Sequence, residues 1–465
     1  MRGGWTGRRS ADDAAAAALV LAGGATAAVS LRTDVAHILP TASPSPEVVR
    51  PPLLPSAGTT TAAPSAAGLL RALAPGLRDK ALGGSVAISV LDAATGAPVL
   101  ETSAREVVLP ASTAKIATAV AALTALPPDL RLTTRVVAGA AAGDVVLVGG
   151  GDPTLAGPFT RPGYPRPASF AALASAARAA LSGKPVRRVL VDDALYAGPL
   201  LGPGWRPEYV TSGDVAPVMA LMVDGGRTAL PPLTGPSRAP RQSDPAIAAG
   251  RALAKVLGAR VVARGRAPEG ATELASVTSP AMPQLVEQML THSDNDLAEA
   301  LARQVALAKG QPATFDGASA ALRAVLGDVL QSVGATPGSV LLSDGSGLSR
   351  LDRVQPGAVT RLLAAVAGAD RERYFPVLSG LPVAGFDGTL ERRYRKGPGL
   401  PAAGVVRAKT GTLNGVSALA GLVRTRDGRL LAFDFTADSV PLGSTLASQT
   451  ALDRLAAALA GCGCR

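Results

Sequence analysis

Ser112-Thr113-Ala114-Lys115 reads S-x-x-K and stands where a predicted strand ends and a predicted helix begins. Upstream, residues 84–109 alternate between apolar and polar side chains around a central turn, a pattern that predicts a β-hairpin ending at Pro110. Downstream, apolar residues recur at helical spacing as far as Leu123. Two side chains three residues apart lie on one face of a helix, so the Lys115 amine is expected to reach the Ser112 hydroxyl.

A serine hydroxyl is a poor nucleophile until a base removes its proton. A lysine amine can be that base only when its pKa falls from about 10.4 toward neutrality. Burial and a second nearby cation both lower the pKa of a lysine, and we expect Lys409 to be that cation. S-x-x-K alone is also compatible with an ordinary helix start that is capped by Ser112.

A second motif, Ser293-Asp294-Asn295, lies between two helical stretches within residues 280–307. In a catalytic interpretation Ser293 relays a proton to a leaving amine, and Asn295 donates its side-chain amide to a substrate. Serine and aspartate also cap helices routinely, so the motif alone is ambiguous. The adjacent His292 has no evident orienting carboxylate, and we interpret it as a structural residue rather than a base.

A third motif, Lys409-Thr410-Gly411-Thr412, ends the first of three predicted antiparallel strands at residues 405–409, 417–424 and 430–435. Lys409 supplies charge for a substrate carboxylate, and Thr410 and Thr412 supply hydroxyl groups. Gly411 is expected to let a substrate backbone approach closely. The backbone N–H groups of Ser112 and Thr412 are candidates for an oxyanion hole. The alternative is a solvated strand end.

Together the three motifs occur in one order, on a helix, a helix turn and a strand, which favours a serine acyl-transfer site with Lys115 as base. They resemble the motifs of penicillin-binding proteins and serine β-lactamases. The long separation between the first two motifs resembles the class C low-molecular-mass penicillin-binding proteins, the D-alanyl-D-alanine carboxypeptidase/endopeptidase family. Four further stretches fit that family: Gly149–Leu155, Met222–Gly225, Asp344–Arg350 and 381–390.

The resemblance implies an α/β (α+β) transpeptidase fold, in which an antiparallel sheet is flanked by helices and subdomains are inserted after the nucleophile helix. It implies hydrolysis of peptidoglycan stem peptides that end in D-Ala-D-Ala, with cross-bridge cleavage as a further activity, and inhibition by β-lactams. It implies neither a metal nor an organic cofactor. Family members contact the diamino-acid side chain through an Arg, which Arg350 matches, and an Asp, which Asp214 matches loosely.

Two alternatives to a carboxypeptidase stay open at this point. One is a β-lactamase or esterase on the same fold, although no E-x-x-L-N-like segment follows the first motif to activate water for deacylation. The other is a non-catalytic wall-binding protein, which the intact catalytic side chains disfavour.

The domain organisation follows from these motifs and from composition. We expect a signal peptide or signal anchor (1–31), a tether rich in Pro, Ser and Thr (32–66), the two halves of the transpeptidase-like domain (67–130 and 267–460), inserted subdomains (131–266) and a tail (461–465). Arg2, Arg8 and Arg9 precede the apolar run 14–31, which predicts export and a possible membrane tether.

Composition narrows the class further. The chain has 465 residues, of which 47% are hydrophobic and 3% aromatic, so Ala, Val and Leu must fill its core. Its net charge of +11 suits anionic polymers or lipid headgroups. No basic cluster interleaved with aromatics supports a nucleic-acid partner. Cys462 and Cys464 cannot form a zinc site alone; they form either a reactive thiol pair or, as we expect, an exposed tail without a role.

Overall fold

The structure is a computed structural model that describes residues 62–231, 238–368 and 370–463. Its strands, in chain order, are β1 (Ala87–Asp92), β2 (Pro98–Thr102), β3 (Thr133–Ala138), β4 (Asp144–Val148), β5 (Arg188–Asp192), β6 (Val261–Arg264), β7 (Glu273–Thr278), β8 (Val340–Leu341), β9 (Arg353–Val354), β10 (Val406–Leu413), β11 (Val416–Arg424) and β12 (Leu430–Ala437). Its helices are α1 (Ala66–Leu77), α2 (Ala114–Ala125), α3 (Phe170–Ala180), α4 (Glu208–Thr211), α5 (Pro245–Leu257), α6 (Met282–His292), α7 (Asn295–Ala308), α8 (Phe315–Ser332), α9 (Pro356–Ala367), α10 (Arg371–Gly380) and α11 (Thr445–Ala460).

The first sheet is antiparallel throughout, with the strand order β10-β11-β12-β1-β2. The predicted hairpin and the three predicted C-terminal strands are all present. The return strand of the hairpin is shorter than predicted, because it ends at Thr102 and Ser103 takes a left-handed backbone with φ +50°. The chain then leaves the sheet, and Val108 bridges to Val354 of β9.

Helices cover both faces of this sheet, which explains why β11 and β12 are buried almost throughout. Alternate side chains of a strand point to opposite faces. Leu419 of β11 belongs to the core shared with α1 and α11, whereas Ala420 belongs to the core shared with α2 and α6–α10. The nucleophile helix α2 is thus packed within the larger helical layer, where a charged side chain loses its solvent.

The insertion forms a second five-stranded sheet with the order β6-β5-β4-β3-β7, on which α3 and α5 pack. Its sheet extends to Thr278, past the expected limit at residue 266. The reason lies in the pairing of the first and last strands: β3 pairs with β7, with Thr133 opposite Thr278. The chain therefore enters and leaves the insertion on neighbouring strands.

Two sequence-based expectations concern the ends of the chain: a membrane tether near the N-terminus and an exposed tail at the C-terminus. No helix within the described ranges is long and apolar enough to cross a membrane, and the apolar run 14–31 lies outside those ranges. Cys462 is 3% exposed and disulfide-bonded, so the expectation of an exposed tail is wrong at this residue. It packs in the core beneath α1 and α11. Cys464 lies outside the described residues.

Candidate active site

The nucleophile motif begins in a strained turn. Ala111–Thr113 form a 3-10 turn that leads into α2, and Ala111 has a positive φ of +48° although it is not a glycine. Such a conformation costs about 1–3 kcal/mol and persists only where surrounding contacts enforce it. Here the Thr113 hydroxyl donates to the Pro110 carbonyl at 2.7 Å, which closes the turn. The turn presents Ser112, which stays half-buried, at the start of the helix.

Lys115 is fully buried, and its Nζ contacts three oxygen atoms. It lies 3.1 Å from Ser112 Oγ, 2.6 Å from Asn295 Oδ1 and 2.6 Å from the Ser346 carbonyl oxygen. Burial lowers the pKa of Lys115 to about 8, against the opposing effect of nearby carboxylates, of which Asp344 is the strongest. The pKa of Lys115 is therefore lowered, in the expected direction, and burial is the main cause.

The second motif joins α6 to α7. Ser293 ends α6 in a left-handed conformation with φ +55°, and Asp294 caps α7 by accepting the Leu297 N–H at 3.0 Å. This sharp turn places two catalytic candidates side by side. Ser293 Oγ lies 2.8 Å from Lys409 Nζ, and Asn295 Nδ2 donates to the Asp214 carbonyl at 2.9 Å. The second bond orients the Asn295 amide, so that its oxygen faces Lys115.

The third motif lies on β10, which is an edge strand of the first sheet. Lys409 is fully buried, and its Nζ donates to Ser293 Oγ and to the Thr410 carbonyl at 2.9 Å. Burial and the positive charge of Lys115 together hold the pKa of Lys409 well below its usual value. Repulsion between the two ammonium groups is mutual, so a cationic Lys409 also disfavours the cationic form of Lys115.

The residues after Lys409 bring β10 against the nucleophile turn. A Cβ atom at Gly411 would lie 2.7 Å from the Pro110 carbonyl oxygen, so this glycine allows the strand to approach the turn. Sequence reasoning had assigned this space to the substrate backbone. Thr410 Oγ1 donates to Thr389 Oγ1 at 2.9 Å, and Thr412 Oγ1 accepts from Gln449 Nε2 at 3.1 Å.

The loop Asp344–Arg350 supplies a contact to Lys115 that the motifs alone did not reveal. Its Asp344 carboxylate accepts the N–H groups of Gly347 and Ser349, both at 2.7 Å, and Trp205 Nε1 at 2.6 Å. These bonds fold the loop around Asp344 and aim the Ser346 carbonyl at Lys115. The two glycines of the stretch were the available signal: at Gly347 φ is +79°, and a Cβ would lie 1.9 Å from the Ala111 oxygen.

A buried charged network supports that loop from α7. Glu299 Oε1 accepts the Gly345 N–H at 3.0 Å, and Glu299 Oε2 lies 3.3 Å from Arg303 Nη1. Burial and the nearby Asp344 raise the pKa of Glu299 to about 7. Burial raises the pKa of Asp352 well above its usual value as well. These carboxyl groups act on the pKa of Lys115, and the motifs of the sequence had not indicated that effect.

The remaining residues singled out in the sequence are Arg350, Asp214 and His292. Arg350 donates from Nη1 to the Asn414 carbonyl at 3.1 Å. Asp214 contacts Asn295 through its main chain, whereas its carboxylate lies 2.7 Å from Arg238 Nε and accepts from Ser212 Oγ at 2.6 Å. His292 is exposed at the end of α6. Within the part of the chain that the structure covers, no cluster of three or more His, Cys, Asp or Glu side chains is arranged to hold a metal ion.

Comparison with known proteins agrees with this geometry. The model of the D-Ala-D-Ala carboxypeptidase 3 (S13) family matches residues 69–232 and 229–459. The chain is 40% identical over 457 residues to carboxypeptidase DacB of Mycolicibacterium smegmatis, covering 96% of this chain and 95% of that protein. It is 30% identical over 440 residues to the D-alanyl-D-alanine carboxypeptidase of Actinomadura sp. strain R39, covering 76% and 78%.

A solved structure shows the same fold. Penicillin-binding protein 4 of Haemophilus influenzae superposes with a TM-score of 0.67 at 22% identity, covering 83% of this chain and 97% of that one. The expected α/β fold, with its antiparallel sheet between helices, is therefore confirmed. From the family match and its close relatives, the chain belongs to the D-Ala-D-Ala carboxypeptidase 3 (S13) family.

Proposed function

We propose how this chain, a serine-type D-Ala-D-Ala carboxypeptidase by its family, carries out its reaction. Ser112 Oγ attacks the carbonyl carbon between the two terminal D-Ala residues of a peptidoglycan stem peptide, and Lys115 accepts the hydroxyl proton. The C–N bond then breaks, and the terminal D-Ala leaves with a proton on its amine. Water hydrolyses the ester on Ser112 and regenerates the enzyme.

The three contacts of Lys115 carry this proposal. An ammonium group donates three hydrogen bonds and a neutral amine donates two. The Asn295 Oδ1 and Ser346 carbonyl oxygens can only accept, so each requires an N–H group from Lys115. When Lys115 loses its proton, its lone pair is therefore left facing Ser112 Oγ at 3.1 Å. A pKa of about 8 makes roughly one Lys115 in ten neutral at pH 7.

The strand end beside Ser112 supports an oxyanion hole. The close approach of Gly411 to Pro110 brings β10 next to the turn that contains Ser112. In this proposal the N–H groups of Ser112 and Thr412 donate to the carbonyl oxygen as it gains negative charge. Removing one such donor typically costs roughly 10²–10³ in rate.

Ser293 and Lys409 serve the leaving group and the substrate carboxylate. The 2.8 Å contact between Lys409 Nζ and Ser293 Oγ polarises that hydroxyl, which relays a proton to the departing amine. The terminal carboxylate of the substrate pairs with Lys409 and with the hydroxyl groups of Thr410 and Thr412. The Asn295 amide and Gly411 border the bound peptide. Arg350 is proposed to contact the peptide side chain, and Asp214 acts through the main-chain carbonyl that orients Asn295.

The same geometry accounts for inhibition by β-lactams, because Ser112 attacks the lactam carbonyl and keeps the acyl group. Cross-bridge cleavage requires the same acylation with a larger leaving amine. Incubation with defined muropeptides, read by mass spectrometry, tests the function: we expect loss of one D-Ala from pentapeptides, and Ser112→Ala must abolish it. Intact pentapeptides, together with a fluorescent penicillin that fails to label the protein, would indicate the non-catalytic alternative.

We also propose that the protein acts outside the cytoplasmic membrane. Its family substrate is peptidoglycan, and the basic residues before the apolar run 14–31 are typical of an export signal. Whether the run is cleaved or retained as a tether is tested by N-terminal sequencing of the exported protein. A new N-terminus after residue 27 indicates cleavage, and an intact Met1 in the membrane fraction indicates an anchor.

A further inference from the structure

A cavity of about 420 Å³ lies between α6 and the insertion, beside the Ser293 turn. Its size falls within the range of small-ligand sites, roughly 300–1,000 Å³. The cavity is not lined by any of the serine and lysine side chains of the three motifs, namely Ser112, Lys115, Ser293 and Lys409. Its walls include Pro153, Thr154, Phe159–Pro165, Pro167, Asp224, Arg227, Pro231, Gln288, His292 and Asp294.

One wall of the cavity leads directly to the catalytic centre. Gln288 and His292 are four residues apart on α6 and therefore lie on one helix face. His292 and Asp294 flank Ser293, whose Oγ lies 2.8 Å from Lys409 Nζ. Extended peptide spans about 3.3–3.6 Å per residue, so a group two or three residues from the cleaved bond lies roughly 7–11 Å from it.

The opposite wall is rigid and largely apolar. Several prolines line it together with Phe159 and Tyr164, and the Tyr164 side chain is 73% exposed. Prolines have a fixed φ and little freedom to lose when a ligand binds. This wall is therefore ready to hold an extended chain against α6.

The acidic groups of the cavity are already committed to the protein. The Asp224 carboxylate accepts the N–H groups of Gly157 at 2.8 Å and Phe159 at 3.1 Å, and the Thr160 hydroxyl at 2.5 Å. The Asp294 carboxylate caps α7. Both carboxylates therefore already accept hydrogen bonds from the protein.

The basic groups, by contrast, retain unused donors. Arg227 Nη1 donates to the Asp224 carbonyl at 2.9 Å, but its buried Nε has no acceptor among the described residues. Arg161 is exposed, and its Nη2 donates to the Pro231 carbonyl at 3.0 Å. A guanidinium group matches a carboxylate through paired hydrogen bonds. The balance of free donors and committed acceptors favours an anionic ligand.

We propose that this cavity binds the α-carboxylate of the D-glutamyl residue of the stem peptide, which lies upstream of the terminal D-Ala-D-Ala. Arg227 and Arg161 pair with the carboxylate, while Gln288 and the proline wall hold the adjoining backbone. The site is separate from Arg350 and Asp214. This inference rests on the proposed function and specifies which stem peptides the enzyme prefers.

The test compares two pentapeptides that differ only at the D-glutamyl residue, with a free α-carboxylate in one and a carboxamide in the other. The readout is kcat/KM for D-Ala release. We expect the wild-type protein to favour the carboxylate by about tenfold, the value of one charge-assisted pair. Arg227→Gln and Arg161→Gln should each remove most of that preference. Arg166→Gln, an exposed arginine in the same segment that does not line the cavity, should keep it.

Acylation of Ser112 by a small penicillin is measured in parallel. It tests the proposed function separately from the inference about the cavity. If Arg227→Gln loses acylation, that variant is misfolded. The peptide preference of the variant Arg161→Gln, at an exposed position, then tests the inference. Normal acylation with equal use of both peptides by the wild type, or with a preference that survives both variants, overturns the inference alone. A preference that follows an attached disaccharide instead makes the cavity a glycan site and also overturns it. Absence of acylation in the wild type overturns the proposed function and this inference together.

Discussion

Replacing Lys409 by glutamine separates its two possible contributions to acylation. The Lys409 ammonium group donates to Ser293 Oγ and to the Thr410 carbonyl and is available to a substrate carboxylate. A hydrogen bond to a charged group contributes about 1.5–3 kcal/mol. Lys409→Gln should therefore slow acylation by a factor of roughly 10 to 150.

The pH dependence of the same variant tests what lowers the pKa of Lys115. Burial and then the charge of Lys115 lower the pKa of Lys409, and burial is also the main cause of the pKa of about 8 at Lys115. Repulsion between two ammonium groups acts on both partners, so the two lysines titrate as a coupled pair. Removing the Lys409 cation should therefore raise the pKa of Lys115 and move the rising limb of acylation to more alkaline pH in Lys409→Gln. Lys409→Arg keeps the positive charge, so its limb should move less.

Stopped-flow acylation by a chromogenic or fluorescent β-lactam from pH 6 to 10 measures both effects, with thermal unfolding as the control for folding. The group that titrates is a lysine whose pKa is lowered by folding, so activity rises with pH as its neutral form accumulates. A limb that stays in place in Lys409→Gln would refute this reasoning, because it would show that the Lys409 cation does not help to lower the pKa of Lys115.

Four other variants test neighbouring features. His292→Ala should keep at least about a tenth of the wild-type acylation rate and Lys115→Ala should lose at least a hundredfold, in line with general-base contributions of roughly 10²–10⁴; the reverse order would identify a different base. Glu299→Gln removes a negative charge that raises the pKa of Lys115, so its acylation limb should move to lower pH, and an alkaline shift would contradict that. Gly347→Ala places a Cβ 1.9 Å from the Ala111 oxygen at φ +79° and should lower the free energy of unfolding by about 1–3 kcal/mol, whereas an unchanged melting temperature would show that the turn relaxes freely.

The sequence predicted those parts of the site that depend on local structure. S-x-x-K at a helix start and K-T-G-T on a strand each require only a short stretch of chain. S-x-x-K lies where the pattern indicated, whereas β10 continues to Leu413, past the predicted strand end at Lys409, so that K-T-G-T lies within the strand. The S-D-N motif also lies between two helices, as predicted. In the structure Ser293 takes a left-handed backbone there and Asp294 caps α7. Alternation of apolar residues likewise predicted the strands of the first sheet.

What the sequence did not predict depends on contacts between distant segments. The Ser346 carbonyl reaches Lys115 only because Asp344 folds its loop and Trp205 of the insertion fixes that carboxylate. Glu299 joins the network from another helix. The last strand of the insertion was likewise assigned to the second half of the catalytic domain, because its pairing with β3 has no local signal.

Mass spectrometry of the penicillin-treated protein tests the central claim most directly. Cleavage after Arg105 and Lys115 yields one peptide, residues 106–115, that contains Ser112 and the neighbouring Thr113. We predict that this peptide carries the acyl adduct, that fragment ions place it on Ser112, and that Ser112→Ala abolishes it. An adduct on any other residue, or labelling that persists in Ser112→Ala, would contradict the assignment of Ser112 as the nucleophile.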